Sequence, residues 1–487
     1  MALSFDNRYV QLPGRFYERV LPTPVSGPRW LARNHDLGRE LGLDDEAFAS
    51  EATLKALAGN GLLPGSEPIA LAYAGHQFGG FVPRLGDGRA ILLGEVRGPS
   101  GARVDVQLKG AGPTPFSRGG DGRAALGPVL REFLVSEAMH ALGVPTTRAL
   151  AAVATGERVY RDRALAGAVL TRVATSHLRV GTFAYFAARR DDDALARLVD
   201  LGLERHAPAA RHGDGPAALR LFDAVLEGQA KLIAAWMSFG FVHGVMNTDN
   251  CAISGETLDY GPCAFLDDYI PSRHFSAIDH QGRYRYENQP RIGSWNLARF
   301  AETLLPLVGE GDEAVKALQP RLEQFSTRFE DHFTRRLATK LGLTGVDDAL
   351  VDLASELLAM MTDGRSDFTL TFRALYEHAA GLGAGLSAHF ADAPRFEAWQ
   401  RRWRAAFDND AAPRAERVEA MRRANPRFIA RNHRVEEALS HAEEGNLGPF
   451  ERLAAVLARP FDDQPEHDDL AAPPGSEQDE HRTFCGT

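Results

Sequence analysis

The residues best able to do chemistry lie in one short run, MNTDNCAISGETLDYG, from Met246 to Gly261. It holds an Asp-Asn pair, Asp249 and Asn250. After a Ser-Gly-Glu turn comes a second carboxylate, Asp259, followed by Tyr260 and Gly261. A short strand is expected on each side of that turn, setting Asn250 and Asp259 across a hairpin. One amide oxygen and one carboxylate are hard donors and few in number. That suits Mg²⁺ or Mn²⁺, which completes its shell with water and substrate phosphates. With Asn250 and Asp259 assigned to a metal, Asp249 is left for proton transfer.

Cations stand upstream. Lys109 closes the alternation of VDVQLK and so sits at a strand end, from which its ammonium can reach phosphate oxygens. A helix follows, with Pro128 near its start and Gly143 just past its end. It carries two candidate partners for the lysine, Glu132 and Glu137. Glu137 falls on the apolar stripe, and the spacing from Lys109 does not choose between them. Two turns, RLGDGRA (84–90) and RGGDGRA (118–124), share the string GDGRA. Glycines such as Gly86, Gly88 and Gly122 let backbone N–H groups approach phosphate, and Arg89 can add charge-assisted bonds beside them. Arg172 and Arg179, seven apart in TRVATSHLR, lie at a strand-to-helix transition and would share a face on a helix. Guanidinium matches phosphate bidentately, so the two could clamp a polyphosphate.

The order lysine, acidic helix, loop Asn and hairpin Asp is that of protein kinases. Set over the kinase string H-R-D-L-x-x-x-N, the segment HGVMNTDN aligns His243 with His and Asn250 with Asn. Val245 takes the place of the catalytic Asp and cannot accept a proton. A conventional kinase is disfavoured on that ground, and Asp249 becomes the base in a new position.

These residues need elements to hold them. From Leu71 to about Val106 short apolar runs broken by glycine read as strands, and LAAVATG and AGAVLTRV read as a further strand pair. A helix is expected around Trp30 to Leu41. From about Phe183 the pattern turns helical; the segment Phe222 to Phe239 ends at Gly240 and runs into the HGVMNTDN loop. The fold class expected is α+β, a protein-kinase-like bilobed fold with a helical C-terminal extension. The divisions are an N-terminal extension (1–65), a β-rich N-lobe (66–180), a helical C-lobe (181–345), a helical extension (346–460) and a flexible acidic tail (461–487).

The net charge of −10 argues against a general nucleic-acid surface. No run approaches the roughly 20 apolar residues of a membrane span. Three cysteines, Cys251, Cys263 and Cys485, make neither a disulfide framework nor a zinc motif. The expectation is a cytoplasmic monomer acting on other proteins.

Taken together, YAGHQFGGF, LGDGRAILLGE, DVQLKGAGPTPFSRGGDGRAAL, REFLVSEAMHALGVPTTRAL, TRVATSHLRVGTF, HGVMNTDN, LDYGPCAFLDDY and DHQGRYRYENQP resemble the selenoprotein O family of kinase-like protein adenylyltransferases. The likeness is in order over roughly residues 70–300, with a looser match at NPRFIARNHRVEEAL and at Cys485. The resemblance implies ATP bound in reverse and AMP placed on Ser, Thr or Tyr hydroxyls, with pyrophosphate leaving. It implies Asp249 as proton acceptor and Asn250 and Asp259 as metal ligands. Nucleotide contacts would come from Gly86, Gly88, Arg89, Lys109, Asp121, Gly122, Arg172, Arg179 and Asp259. For the lysine's partner it selects Glu132 over the Glu137 of the apolar stripe. It also suggests a redox role for Cys485. Transfer of UMP from UTP and an inactive ATP-binding scaffold are the alternatives.

Overall fold

Alternating apolar residues build most of the N-terminal third into a sheet buried on both faces. The computed structural model describes residues 3–383, 386, 390–475 and 483. The chain enters through β1 (Tyr17–Arg19) and β2 (Arg29–Arg33), then α1 (His35–Glu40), α2 (Asp45–Ala49) and α3 (Glu51–Ala58). β3 (Ile69–Leu71), the small hairpin β4 (Gly75–Gln77) and β5 (Gly80–Val82), β6 (Ala90–Arg97), β7 (Arg103–Lys109) and β8 (Ala124–Ala125) follow. Next come α4 (Leu126–Ala141), β9 (Arg148–Tyr160) and β10 (Ala164–Ala174). The main sheet runs β1-β3-β6-β7-β10-β9-β2, with β8 beside β10, and its pairings are antiparallel.

Successive side chains of a strand point to opposite faces, and here both faces are covered. Ile91 and Leu93 of β6, with Val169 of β10, pack with Leu37, Phe48 and Leu57 of α1–α3. Leu92 and Leu170 pack on the other face with Leu130, Leu134 and Met139 of α4. This double cover explains why AILLGEV reads as a continuous apolar run.

The helical region comprises α5 (Val180–Ala187), α6 (Asp192–His206) and α7 (Ala217–Ser238), a two-strand ribbon of β11 (Phe241–Val242) and β12 (Ala264–Phe265), then α8 (Gln289–Val308), α9 (Asp312–Leu341), α10 (Asp348–Gly364), α11 (Phe368–Ala380), α12 (Ala393–Asn409), α13 (Arg414–Ala424), α14 (Asn432–Glu443), α15 (Gly448–Leu457) and α16 (Asp468–Ala471). The fold is thus a mixed α+β chain, an antiparallel sheet followed by helices. No helix among the described residues is long and apolar enough to cross a membrane.

Three local expectations change. Trp30 lies in a strand, not a helix: RWLAR pairs with β9, and the helix starts only at His35, after Asn34 caps the Leu37 N–H. The two strands expected around the Ser-Gly-Glu turn reduce to a single bridge, Cys251 to Thr257. The backbone there is already engaged with other segments: Val180 N–H donates to the Cys251 carbonyl, Thr257 N–H to Pro145 and Thr147 N–H to Thr257. In the segment read as a flexible tail, Leu470 and Ala471 of α16 are buried, and the Ala471 carbonyl accepts from Arg431 Nε at 2.8 Å. Cys485 lies outside the described residues.

Candidate active site

The centre of the site is a group of charges from four elements. Lys109, the last residue of β7, places Nζ 2.6 Å from Glu132 Oε2 on α4 and 2.6 Å from Asp259 Oδ1. Arg172 on β10 donates through Nε to Glu132 Oε1 at 2.7 Å and lies 3.4 Å from Asp259 Oδ1. Two cations thus face two carboxylates, all largely buried. Burial alone would raise both acids. For Glu132, Arg172 and Lys109 outweigh it; for Asp259, Lys109, Arg172 and Arg89 hold the carboxyl well below the usual range. Asp259 adopts a left-handed backbone, φ 73°, which turns its side chain into the group.

The partner of Lys109 is therefore Glu132. Glu137 instead holds Arg148 and Asn34 at the outer end of α4. The apolar stripe did not separate them, because α4 lies between the sheet and α14–α15 and is buried on more than one face.

Asp249 and Asn250 lie in a 3₁₀ turn, Thr248–Asn250. Arg179 caps α5, and its Nη1 donates to the Asp249 carbonyl at 2.9 Å. Its guanidinium also lies 4.5 Å from the Tyr73 ring centre and 3.8 Å from Asp87 Oδ1. Arg172 and Arg179 thus flank the site from a strand and a helix cap, not from one helix face. Asp249 Oδ2 accepts from Gln77 Nε2 at 3.2 Å, while Oδ1 is buried with no hydrogen-bond partner among the described residues. Burial pushes this carboxyl upward, only partly countered by Gln77 and Arg179. Asn250 Nδ2 donates to the Val245 carbonyl at 3.0 Å, leaving the amide oxygen as its donor atom for other work. Val245 itself is buried and apolar.

Arg89 lines a cavity of about 370 Å³ together with Lys109, Glu132 and Asp259; residues of α14 close its far side. Gly86 has φ 72°, and a Cβ there would overlap the Phe116 ring; one on Gly88 would press on the Phe116 carbonyl at 2.9 Å. The first GDGRA turn is thus packed tightly, and its Asp87 is buried, accepting from Leu71 N–H and Gln107 Nε2 at 3.1 Å each. The second turn is different. Asp121 pairs with Arg161 at 2.8 Å, and the Gly122 carbonyl accepts from Gly112 N–H. Neither touches the four-charge group.

Two features were not anticipated from the residues. The β4–β5 hairpin is strapped to the loop of Asp249 and Asn250: His76 N–H donates to Thr248 Oγ1 at 2.7 Å, and Phe78 N–H to Asn247 Oδ1 at 3.1 Å. Tyr284 Oη also donates to Asn247 Oδ1, at 2.6 Å. Second, Arg131, beside Glu132, donates to the Gly261 carbonyl (3.2 Å), the Cys263 carbonyl (2.5 Å), Asn432 Oδ1 (2.9 Å) and Glu436 Oε1 (2.9 Å). It ties α4, the Asp259 loop and α14 together. No periodicity signals either feature; both lie in the quoted strings YAGHQFGGF, REFLVSEAMH and NPRFIARNHRVEEAL. Cys251 and Cys263 are buried, and burial pushes the Cys263 thiol up to about 11, so it stays protonated.

Comparison with known proteins gives the family. The family model described as "Protein adenylyltransferase SelO" matches residues 1–458. A "Protein nucleotidyltransferase YdiU" of Nitrobacter hamburgensis is 53% identical over 488 residues, covering 100% of this chain and 96% of the relative. The protein of the same description from Rhizobium rhizogenes is 53% identical over 489 residues, covering 100% and 97%. With a match that spans the sheet, the charged group, the loop of Asp249 and Asn250 and α14, this chain belongs to the SelO family of protein adenylyltransferases.

Proposed function

We propose that this enzyme moves AMP from ATP, bound in the reverse sense to that of a kinase, onto Ser, Thr or Tyr hydroxyls of proteins. The observation that carries the reading is the buried, unbonded Oδ1 of Asp249, next to Asn250, while Val245 fills the kinase base position. The sheet region and the helical region act as kinase-like lobes, divided near residue 180.

Lys109, Arg172 and Arg179 are the cations available to phosphate oxygens; Arg89 lies on the cavity wall. Glu132 holds Lys109 and Arg172 in place. Asp259 and Asn250 offer one carboxylate and one amide oxygen, a donor set that fits Mg²⁺ or Mn²⁺ beside phosphates. Such an ion, when bound, neutralises phosphate charge. The chain's own part is to orient the acceptor hydroxyl and take its proton on Asp249. The hydroxyl oxygen bonds to the α-phosphorus as the α–β anhydride bond breaks, and pyrophosphate carries away the electron pair.

ATP labelled at the α- or the γ-phosphate tests this. Label on protein from the α position alone is expected; label from γ alone overturns the reading, and bound nucleotide with no label favours the inactive scaffold. Asp249→Asn lowers transfer roughly 10²–10⁴-fold while nucleotide binding persists. The relatives' description names no nucleotide, so labelled UTP is run in parallel; preferential UMP transfer would reassign the base.

A further inference from the structure

The acceptor side of the catalytic loop carries a surface that the transfer chemistry leaves unused. The β4–β5 hairpin turns on two residues, Phe78 and Gly79, with φ 50° and 89°. Such a turn favours Asn, Asp or Gly at its first position. A phenylalanine there is strained, and strain of this kind is retained at functional sites. The strain presents an aromatic ring: Phe78 is 38% exposed and Phe81 is 42% exposed. The hairpin is bonded to Asn247, Thr248 and Asp249, with the Phe78 ring 5.1 Å from Tyr284 and the Phe81 ring 4.8 Å from His76, so the same short hairpin that carries the exposed rings holds the loop of Asp249.

Arg283 lies alongside. Its guanidinium packs near Gly79, 4.9 Å from the Trp295 ring centre and 5.7 Å from that of Tyr284. Its Nε is buried without a hydrogen-bond partner, and it has no carboxylate partner among the described residues. The neighbouring arginines are neutralised: Arg285 by Glu287 at 2.6 Å and Arg299 by Glu302 at 2.6 Å. The chain has carboxylates to spare, 65 acids against 55 Lys and Arg, so the vacancy is not a shortage of partners. A guanidinium on aromatic faces in a partly dry site attracts an anion more strongly than one in water.

We infer that the hairpin and Arg283 form the docking surface for the acceptor polypeptide, and that it selects segments with acidic residues around the hydroxyl. The inference rests on the proposed transfer to proteins. Apolar residues of the acceptor cover Phe78 and Phe81, a carboxylate meets Arg283, and the hydroxyl reaches Asp249.

The test uses the full chain, α-labelled ATP and two peptides, each with one Ser, Thr and Tyr, flanked by glutamates or by lysines. The glutamate peptide is expected to show a KM about tenfold lower, the size of one charge-assisted contact. Arg283→Glu reverses the order of the two peptides with the KM for ATP unchanged. Phe78→Gly, which suits the turn, raises KM for both peptides and keeps their order. Arg285→Ala, removing an arginine already paired, leaves the preference as it was. Equal KM values for the two peptides in the unaltered enzyme, or an unchanged order in Arg283→Glu, overturn the docking surface while labelled peptide still upholds AMP transfer. No label on either peptide or on the enzyme itself overturns the transfer, and this inference with it.

Discussion

At the scale of single residues, the site separates two carboxylates by environment. Asp259 is held by Lys109 and Arg172 and stays ionised; Asp249 has one amide donor and an unbonded oxygen. The first suits charge holding, the second proton acceptance. The space around Asp249 is set by a glycine: a Cβ at Gly75 would overlap its Oδ1. Gly75→Ala is therefore expected to lower kcat about 10²-fold through misplacement of the base, with the KM for ATP nearly unchanged. Single-turnover transfer from α-labelled ATP reads it, and an unchanged kcat would refute the tight fit. The residue types here were readable because their chemistry is scarce: Asp249, Asn250, Asp259 and Lys109 follow from donor type and order alone. The choice of Glu132 over Glu137 came from the family resemblance and not from periodicity, since a helix buried on several faces has no single apolar stripe to read.

At the scale of elements, α4 is the central connector. Its Glu132 meets Lys109 and Arg172, and its Arg131, lining the same cavity, bonds the loop after Asp259 and α14. Four acceptors on one guanidinium make a brace between the sheet region and the C-terminal helices. Arg131→Met is expected to cost about 2–3 kcal/mol in denaturant unfolding, the loss of hydrogen bonds to a buried charge. Arg131→Lys is not expected to restore it, because an ammonium cannot span the fork. If unfolding free energy changes by only a few tenths of a kcal/mol, the brace is decorative. The brace also shows why part of the fold was hidden. Strand β7 announces itself by alternation, β6, β9 and β10 by apolar runs bounded by glycine, and α7 by its period. The bridge at Cys251 and Thr257 does not, because its backbone bonds go to segments some 70 to 110 residues earlier in the chain.

At the scale of the whole molecule, the apolar core runs without a break from the sheet and α4 into the C-terminal helices. Lys340, on α9, is 2% exposed; its Nζ donates to the Ala424 carbonyl at 3.0 Å and faces the rings of Phe239, Phe368 and Phe372. Desolvation, with Arg336 adding repulsion, outweighs the attraction of the rings and lowers its pKa to about 7. A base depressed in the folded state contributes stability that is complete above its unfolded pKa, near 10.4, and lost as pH falls through about 7. Unfolding free energy should thus rise between pH 7 and 10. In Lys340→Met that slope should flatten, with a gain on the order of 1 kcal/mol at pH 7. Parallel slopes for the two proteins would show that the lysine keeps its proton.

What the sequence by itself determined is the family and the order of the candidate site's parts: a lysine at a strand end, an acidic helix, a loop with Asp249 and Asn250, and Asp259 after a turn. Residue type and short spacing suffice, because donor atoms and strand or helix periods are local properties. Tertiary structure alone decided how Gln77 reaches Asp249 across 172 residues and how α14 closes the far side of the charged group, while Glu132, which periodicity did not select and the family resemblance did, is the glutamate that meets Lys109. Those pairings depend on close packing of distant segments, where an ångström decides between contact and none, and no local period encodes that distance.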